Sequence, residues 1–76
     1  MIKTKYVILD KNGDAVSYFD TFLGPYATTK NLDEMITFDS KEVAEGIAEL
    51  NNCPDRGVLF HAAEIQIDTS WVIINK

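Results

Sequence analysis

The sequence has few of the residues on which catalytic and metal sites depend. Its 76 residues include one cysteine, Cys53, and one histidine, His61. A zinc site needs three or four cysteine, histidine or acidic ligands, and this chain lacks the sulfur and imidazole for one. A Cys–His nucleophile pair would also need a group to orient the base, and no Asp or Asn is evidently placed for that. We therefore expect a non-enzymatic protein with no metal and no cofactor.

Disulfides and long apolar runs are absent as well. A lone cysteine cannot form an internal disulfide, and small secreted domains usually have several, so a reducing cytoplasm is favoured. Apolar runs stop at four residues, as in Tyr6–Leu9, which is too short for a membrane span or a signal peptide. The length leaves room for a single domain, residues 1–76. We expect a soluble, cytoplasmic protein that does not bind membranes.

Positive charge is scarce, and the negative charge is concentrated. The formal net charge is −5, and all of it arises between residues 33 and 49, where six acids accompany one base. These acids are Asp33, Glu34, Asp39, Glu42, Glu45 and Glu49. Direct binding to nucleic acid needs clustered Lys and Arg, so it is not expected. Such a segment favours a partner protein with a basic surface.

Local sequence signals predict a small sheet. Asn12-Gly13 between two β-rich stretches predicts a hairpin turn. Residues 26–34 are expected to form an irregular connection. Five strands are expected, at residues 6–9, 15–22, 35–38, 57–67 and 71–74.

A single helix is expected after the third strand. Asp39 and Glu42 are spaced as a capping box, in which Asp39 caps the helix and Glu42 reaches back to the cap amide. Behind the box, Val43, Ile47 and Leu50 recur at the spacing of one helix face, which predicts that this stripe packs on the sheet. The sequence therefore predicts an α+β fold of order β-β-β-α-β-β, with one helix on one face of a small antiparallel sheet.

The first candidate binding surface is acidic. Glu42, Glu45 and Glu49 stand at i, i+3 and i+7 on one side of the predicted helix, and Asp33 and Glu34 precede it. Such a row is either a solvated face or an electrostatic surface for a basic partner. Both alternatives stay open at this point.

The second candidate surface is aromatic. Tyr18, Phe22 and Tyr26 lie within nine residues, and strand alternation places Val16, Tyr18 and Phe22 on one face. A sheet with one helix leaves a face uncovered, so some of these aromatics should be exposed and available to form a homodimer. His61 is expected to be partly buried rather than a ligand.

Two segments and the closing hairpin resemble small accessory proteins encoded by phages and prophages of Gram-positive bacteria. The segments are Tyr6-Val7-Ile8-x-Asp10-x-Asn12-Gly13 and Thr37-Phe38-x-Ser40-x-Glu42-x-Ala44-Glu45-x-x-Ala48-Glu49-Leu50-Asn51. The resemblance implies a non-enzymatic protein that acts in the host cytoplasm and blocks a host enzyme or defence system. It implies no site residues.

We therefore expect a protein that binds and inhibits or redirects a host protein, with an acidic helix that could imitate the charge of DNA. Two alternatives remain open. One is a self-associating structural or regulatory module, and the other is a protein that sequesters a small ligand such as a nucleotide.

Overall fold

The structure, a computed structural model, describes residues 3–19, 25–67 and 71–75, the last range as backbone only. Its strands are β1 (Lys3–Asp10), β2 (Ala15–Phe19), β3 (Tyr26–Thr29), β4 (Phe60–Ile67) and β5 (Trp71–Asn75). The helix α1 spans Lys41–Asn51, and short 3-10 helices lie at Leu32–Glu34 and Pro54–Arg56. The predicted α+β class and the order β-β-β-α-β-β are confirmed.

The strands form one antiparallel sheet in the order β3-β2-β1-β4-β5. Side chains alternate between its two faces. We call one face the helix face, because Ala48 of α1 packs there against Ile8, Val16 and Phe60. The opposite face has its own buried cluster, composed of Val7, Leu9, Ala15, Met35, Ala63 and Ile65.

The predicted hairpin turn between β1 and β2 is confirmed. Gly13 has a φ of 85°, and its amide donates to the Asp10 carbonyl at 3.0 Å. The Asp10 amide donates to the Asp14 carbonyl at 2.9 Å, which makes a hairpin with a left-handed glycine and a bulge. The Asp10 carboxylate is buried and accepts from the amides of Asn12 and Asp14 at 2.9 and 3.0 Å. Its other oxygen accepts from the Tyr26 hydroxyl at 3.1 Å, so the turn is tied to β3.

The predicted position of the third strand is wrong. The third strand is β3, which lies within the segment expected to be irregular. As a short and mostly polar edge strand, β3 lacks the apolar alternation that signals a half-buried strand. Residues 36–38 lie between β2 and β1 instead. The Ile36 amide donates to the Val16 carbonyl at 3.2 Å, while Phe38 and Tyr6 exchange backbone hydrogen bonds of 2.8 and 2.9 Å.

A register shift in β2 separates two residues that were expected to share a face. The pairing of β2 with β3 shifts between Val16 and Tyr18. Val16 and Phe19 both belong to the cluster on the helix face, so Tyr18 points to the opposite face, where it is 56% exposed. The prediction that Val16 and Tyr18 share a face is therefore wrong, because a bulge adds one residue to the alternation.

The helix begins where predicted, but a different residue caps it. α1 starts at Lys41, and the Ser40 hydroxyl accepts from the Val43 amide at 3.3 Å. Asp39 forms an ion pair with Lys5 instead. The antiparallel bridge between Phe38 and Tyr6 brings Asp39 beside Lys5. The predicted capping box of Asp39 and Glu42 is therefore wrong.

The helix packs through its smallest side chains. Ala44, Ala48 and Asn51 are buried, whereas Val43 and Leu50 are 52% and 56% exposed. The prediction that Val43 and Leu50 face the sheet is thus wrong, although Ile47 does pack on the helix-face cluster. Alanines at the contact let a helix approach the sheet more closely than larger side chains do.

Strand β4 starts later than predicted. Gly57, with a φ of 72°, ends the second 3-10 helix, and Val58 forms a bridge with Cys53. The strand proper begins at Phe60. His61 is exposed rather than partly buried as expected.

Candidate functional site

The acidic side of α1 forms one wall of the candidate site. Glu42, Glu45 and Glu49 are exposed, and their spacing aligns them along the helix. Lys41 approaches Glu45 with 3.8 Å between Nζ and Oε1. Both side chains are more than half exposed, and exposed pairs of this kind contribute little to stability. The row is a negatively charged surface open to solvent.

A groove of about 330 Å³ runs beside this wall, between α1 and β4. Its lining residues are Glu45, Ala48, Glu49, Asn52, Phe60, His61 and Ala62. Two carboxylates of the acidic row therefore border the groove, and Ala48 and Phe60 contribute buried apolar surface to it. Its volume is at the lower limit for small-molecule pockets.

The far wall of the groove is an uncovered edge of the sheet. β5 pairs with β4 from Ile67 opposite Trp71 to Glu64 opposite Asn75. Beyond that point, no described residue pairs with β4 on this side over residues 60–63. Within the described part of the chain, the first half of β4 is therefore an edge beside an acidic helix.

The hydrogen bonds of β1 show which backbone groups this edge presents. Tyr6 directs its amide and carbonyl to Phe38, away from β4. In an antiparallel ladder alternate residues bond to opposite neighbours, so Tyr6 and its partner Glu64 are a pair without mutual hydrogen bonds. The same holds for Ile8 and its partner Ala62. The amide and carbonyl of Ala62 therefore point outward from the sheet edge, towards the groove.

Asn52 fixes where this edge begins. Its Oδ1 accepts from the Phe60 amide at 2.6 Å. The Phe60 amide points away from β1, as the Ala62 amide does, because residues two apart in a strand direct their backbone groups to the same side. The backbone amide of Asn52 donates to the Glu49 carbonyl at 3.2 Å. The end of α1 and the start of β4 are thus joined by the Asn52 side chain at one end of the groove.

The other predicted site residues lie elsewhere. Asp33 and Glu34 are exposed on the 3-10 helix whose Leu32 packs on the opposite face of the sheet, and Glu34 accepts from the Thr29 hydroxyl at 3.1 Å. The structure therefore divides the acidic segment into two separate surfaces.

The predicted aromatic residues do not form one exposed surface. Tyr26 lies on the helix face, with its ring edge-to-face on Phe60 at a centroid distance of 4.8 Å, and Phe19 packs on Phe60 at 5.3 Å. Tyr18 is exposed on the opposite face. Phe22 lies outside the described residues.

Within residues 3–19 and 25–67, no three His, Cys, Asp or Glu side chains are grouped to hold a metal ion. No helix of the described chain is long and apolar enough to cross a membrane.

Burial, followed by the hydrogen bond to Asp10, raises the pKa of Tyr26 above its ordinary value of 10.0. Tyr26 is therefore a neutral hydrogen-bond donor at physiological pH.

Sequence reasoning identified the acidic wall but missed the groove and the strand edge. The edge depends on where β5 stops pairing, and no local signal marks that point. No local signal marks the Asn52 contact either, because Phe60 lies eight residues further along the chain.

Comparisons of the chain with protein-family models, with curated proteins and with solved structures find no match.

Proposed function

We propose that this chain is a non-enzymatic binding module that recognises a basic surface of another protein through the acidic side of α1 and the adjoining groove. The observation that carries the proposal is the position of Glu45 and Glu49, which border a groove whose far wall is an uncovered strand edge. Carboxylates in such a position attract Lys and Arg, while the backbone edge can donate and accept main-chain hydrogen bonds. The resemblance to phage accessory proteins supplies the setting, in which the partner is a host protein that is inhibited or redirected in the cytoplasm.

A nucleotide-sequestering function is less well supported. A nucleotide would bring phosphates to the groove, where Glu45 and Glu49 would repel them. Clustered Lys or Arg side chains usually hold phosphates, and none of the described residues that line the groove is Lys or Arg.

Self-association is the second candidate, and one observation favours it. Val43 and Leu50 are about half exposed on the flank of α1 that lies away from the groove. Residues seven apart lie on the same side of a helix, and exposed apolar side chains in such a row are typical of interfaces. This flank is distinct from the acidic side, so both contacts could exist in one molecule.

The proposed function is tested by exchanging the charge of the groove. The double variant Glu45→Lys, Glu49→Lys should keep the melting temperature of the wild type, because exposed charges contribute little to stability. Its association with a purified basic partner, selected by capture on the wild-type protein, should be slower by at least about tenfold at low salt, since steering depends on complementary charge. The rate difference should shrink as ionic strength rises. Stopped-flow fluorescence measures both quantities.

The matched control is Asp33→Lys, Glu34→Lys, which makes the same change in net charge on the opposite face of the sheet. This variant should bind almost as fast as the wild type. Equal rates for the wild type and both variants at every ionic strength would contradict the proposal, and the acidic side of α1 would then be a solvated face.

A further inference from the structure

We infer that the partner binds as an extended strand, which adds to the free edge of β4 at residues 61–63 and directs lysine or arginine at alternate positions towards Glu45 and Glu49. The inference rests on the proposed function and specifies how the partner is recognised. Under this inference the partner needs an extended main chain and basic side chains at every second position, as well as positive charge.

The backbone of the edge offers unbonded groups at Ala62. The outward amide and carbonyl of Ala62 have no partner among the described residues, and an added strand would satisfy both. Asn52 already bonds the outward amide of Phe60, so the stretch open to an added strand is residues 61–63, which accommodates about 10 Å of extended peptide. β5 already uses the same edge of β4 from Glu64 onwards, which shows that the edge has strand geometry.

The side chains of residues 60–63 do not block this edge. Natural sheet edges are usually blocked by charged side chains, by proline or by a bulge. Residues 60–63 are Phe, His, Ala and Ala, and His61, the only polar one, is exposed. The register shift in the pairing of β4 with β5 falls after Glu64, outside this stretch. The small side chains of Ala62 and Ala63 leave room for a neighbouring strand.

The negative charge of the groove indicates a positively charged occupant. Side chains of an added strand alternate between the two faces, as those of β4 do. Every second one would lie on the helix face, where Glu45 and Glu49 line the groove. A peptide with Lys or Arg at positions i and i+2 therefore matches the site. A second copy of this chain matches poorly, because edge-to-edge pairing would bring the same two carboxylates of each copy together.

The test uses two synthetic peptides with the same composition. One is fluorescein-labelled Lys-Val-Lys-Val-Lys, which places every lysine on one face of a strand, and the other is Lys-Lys-Val-Val-Lys. Fluorescence anisotropy at low salt should give an affinity for the alternating peptide at least about tenfold higher, equivalent to one well-placed charge-assisted contact. N-methylation of single peptide residues should weaken binding at every second position, because only alternate amides point to the neighbouring strand.

Variants of the edge provide the complementary measurement. Ala62→Pro removes the outward amide and should abolish the preference for the alternating peptide, while the ladder with β1 persists because that amide does not bond to β1. Ala62→Ser keeps the amide and should bind like the wild type. In the wild-type protein, amide exchange followed by NMR should be fast at Ala62 and slow at Ala63, and saturating alternating peptide should slow the exchange at Ala62.

Different failures would have different meanings. If both peptides bind equally and Glu45→Lys, Glu49→Lys weakens both, strand addition is wrong while recognition of basic partners stands. If neither peptide binds at low salt, strand addition and the proposed function are both contradicted. If sedimentation shows a dimer in which the Ala62 amide is already protected, the edge is occupied by a second copy and the inference is overturned.

Discussion

Replacement of Asp10 should be among the most destabilising single substitutions in this protein. The side chain is 4% exposed, and its two oxygens accept three hydrogen bonds, from the amides of Asn12 and Asp14 and from the hydroxyl of Tyr26. These bonds hold the turn between β1 and β2 and connect that turn to β3. Asp10→Ala removes all three at once.

The loss in free energy of unfolding can be estimated from the hydrogen bond that each donor loses in Asp10→Ala. Hydrogen bonds to charged groups contribute about 1.5 to 3 kcal/mol each. The two turn amides can be rehydrated, because Asn12 is exposed and Asp14 half-buried, so about 1 kcal/mol each is a reasonable net loss. The half-buried Tyr26 hydroxyl adds about 1.5 kcal/mol, which gives a total of about 3 to 4 kcal/mol. A chain of this length is stable by roughly 4 to 11 kcal/mol, so the variant should be close to the limit of folding.

Urea unfolding followed by far-UV circular dichroism measures the free energy of unfolding. Two variants serve as references. Tyr26→Phe removes one of the three bonds and should cost about 1 to 2 kcal/mol. Asp14→Ala deletes a carboxylate from the same turn but keeps the bonded amide, so it should cost less than about 0.5 kcal/mol. If Asp10→Ala were no more destabilising than Asp14→Ala, the assignment of Asp10 as the residue that holds the turn would be refuted.

Two further predictions concern pH and oligomeric state. Because the pKa of Tyr26 is raised above 10.0 in the folded protein, its contribution to stability is fully present below pH 10 and is lost as the pH rises through the folded pKa. The free energy of unfolding of the wild type should therefore fall more steeply above pH 10 than that of Tyr26→Phe, and parallel curves would contradict the linkage. If the exposed flank of α1 mediates self-association, light scattering at high micromolar concentration should give twice the chain mass of 8.5 kDa for the wild type and a single chain mass for Leu50→Lys. A wild-type monomer under those conditions would exclude the homodimer.

The parts of the fold that the sequence predicted correctly depend on contacts between near neighbours. The hairpin at Asn12-Gly13 requires a left-handed residue at Gly13, and only a few residues around it decide whether the turn forms. The start of α1 was located to within two residues of Asp39 for the same reason, since a cap is a contact over three residues. The acidic side of α1 was predicted from helical spacing alone, because residues on the outside of a helix need no partner to define their position.

The predictions that are wrong depend on contacts between distant parts of the chain. Asp39 has the chemistry of a cap, but it pairs with Lys5, which lies beside it once Phe38 bridges to Tyr6. Ser40 is the residue that caps the helix. Periodicity predicted that Val43 and Leu50 pack on the sheet. In the structure Ala44 and Ala48 are buried instead, on the side of α1 that contacts β4 and β1. Small side chains let the helix lie close to the sheet.

The sequence by itself determined the turn, the helix, the fold class and the location of the negative charge, because each depends on residues that are close in the chain. Only the tertiary structure decided which face of α1 is buried and where the edge of β4 is left open. Among the described residues, the pairing of β5 with β4 ends at Glu64, which leaves that edge open. The direction of the Ala62 amide follows from the pairing of β1 with both of its neighbours. Strand register is a property of the whole sheet, since shifting one strand by one residue reverses every side chain and every outward amide along it.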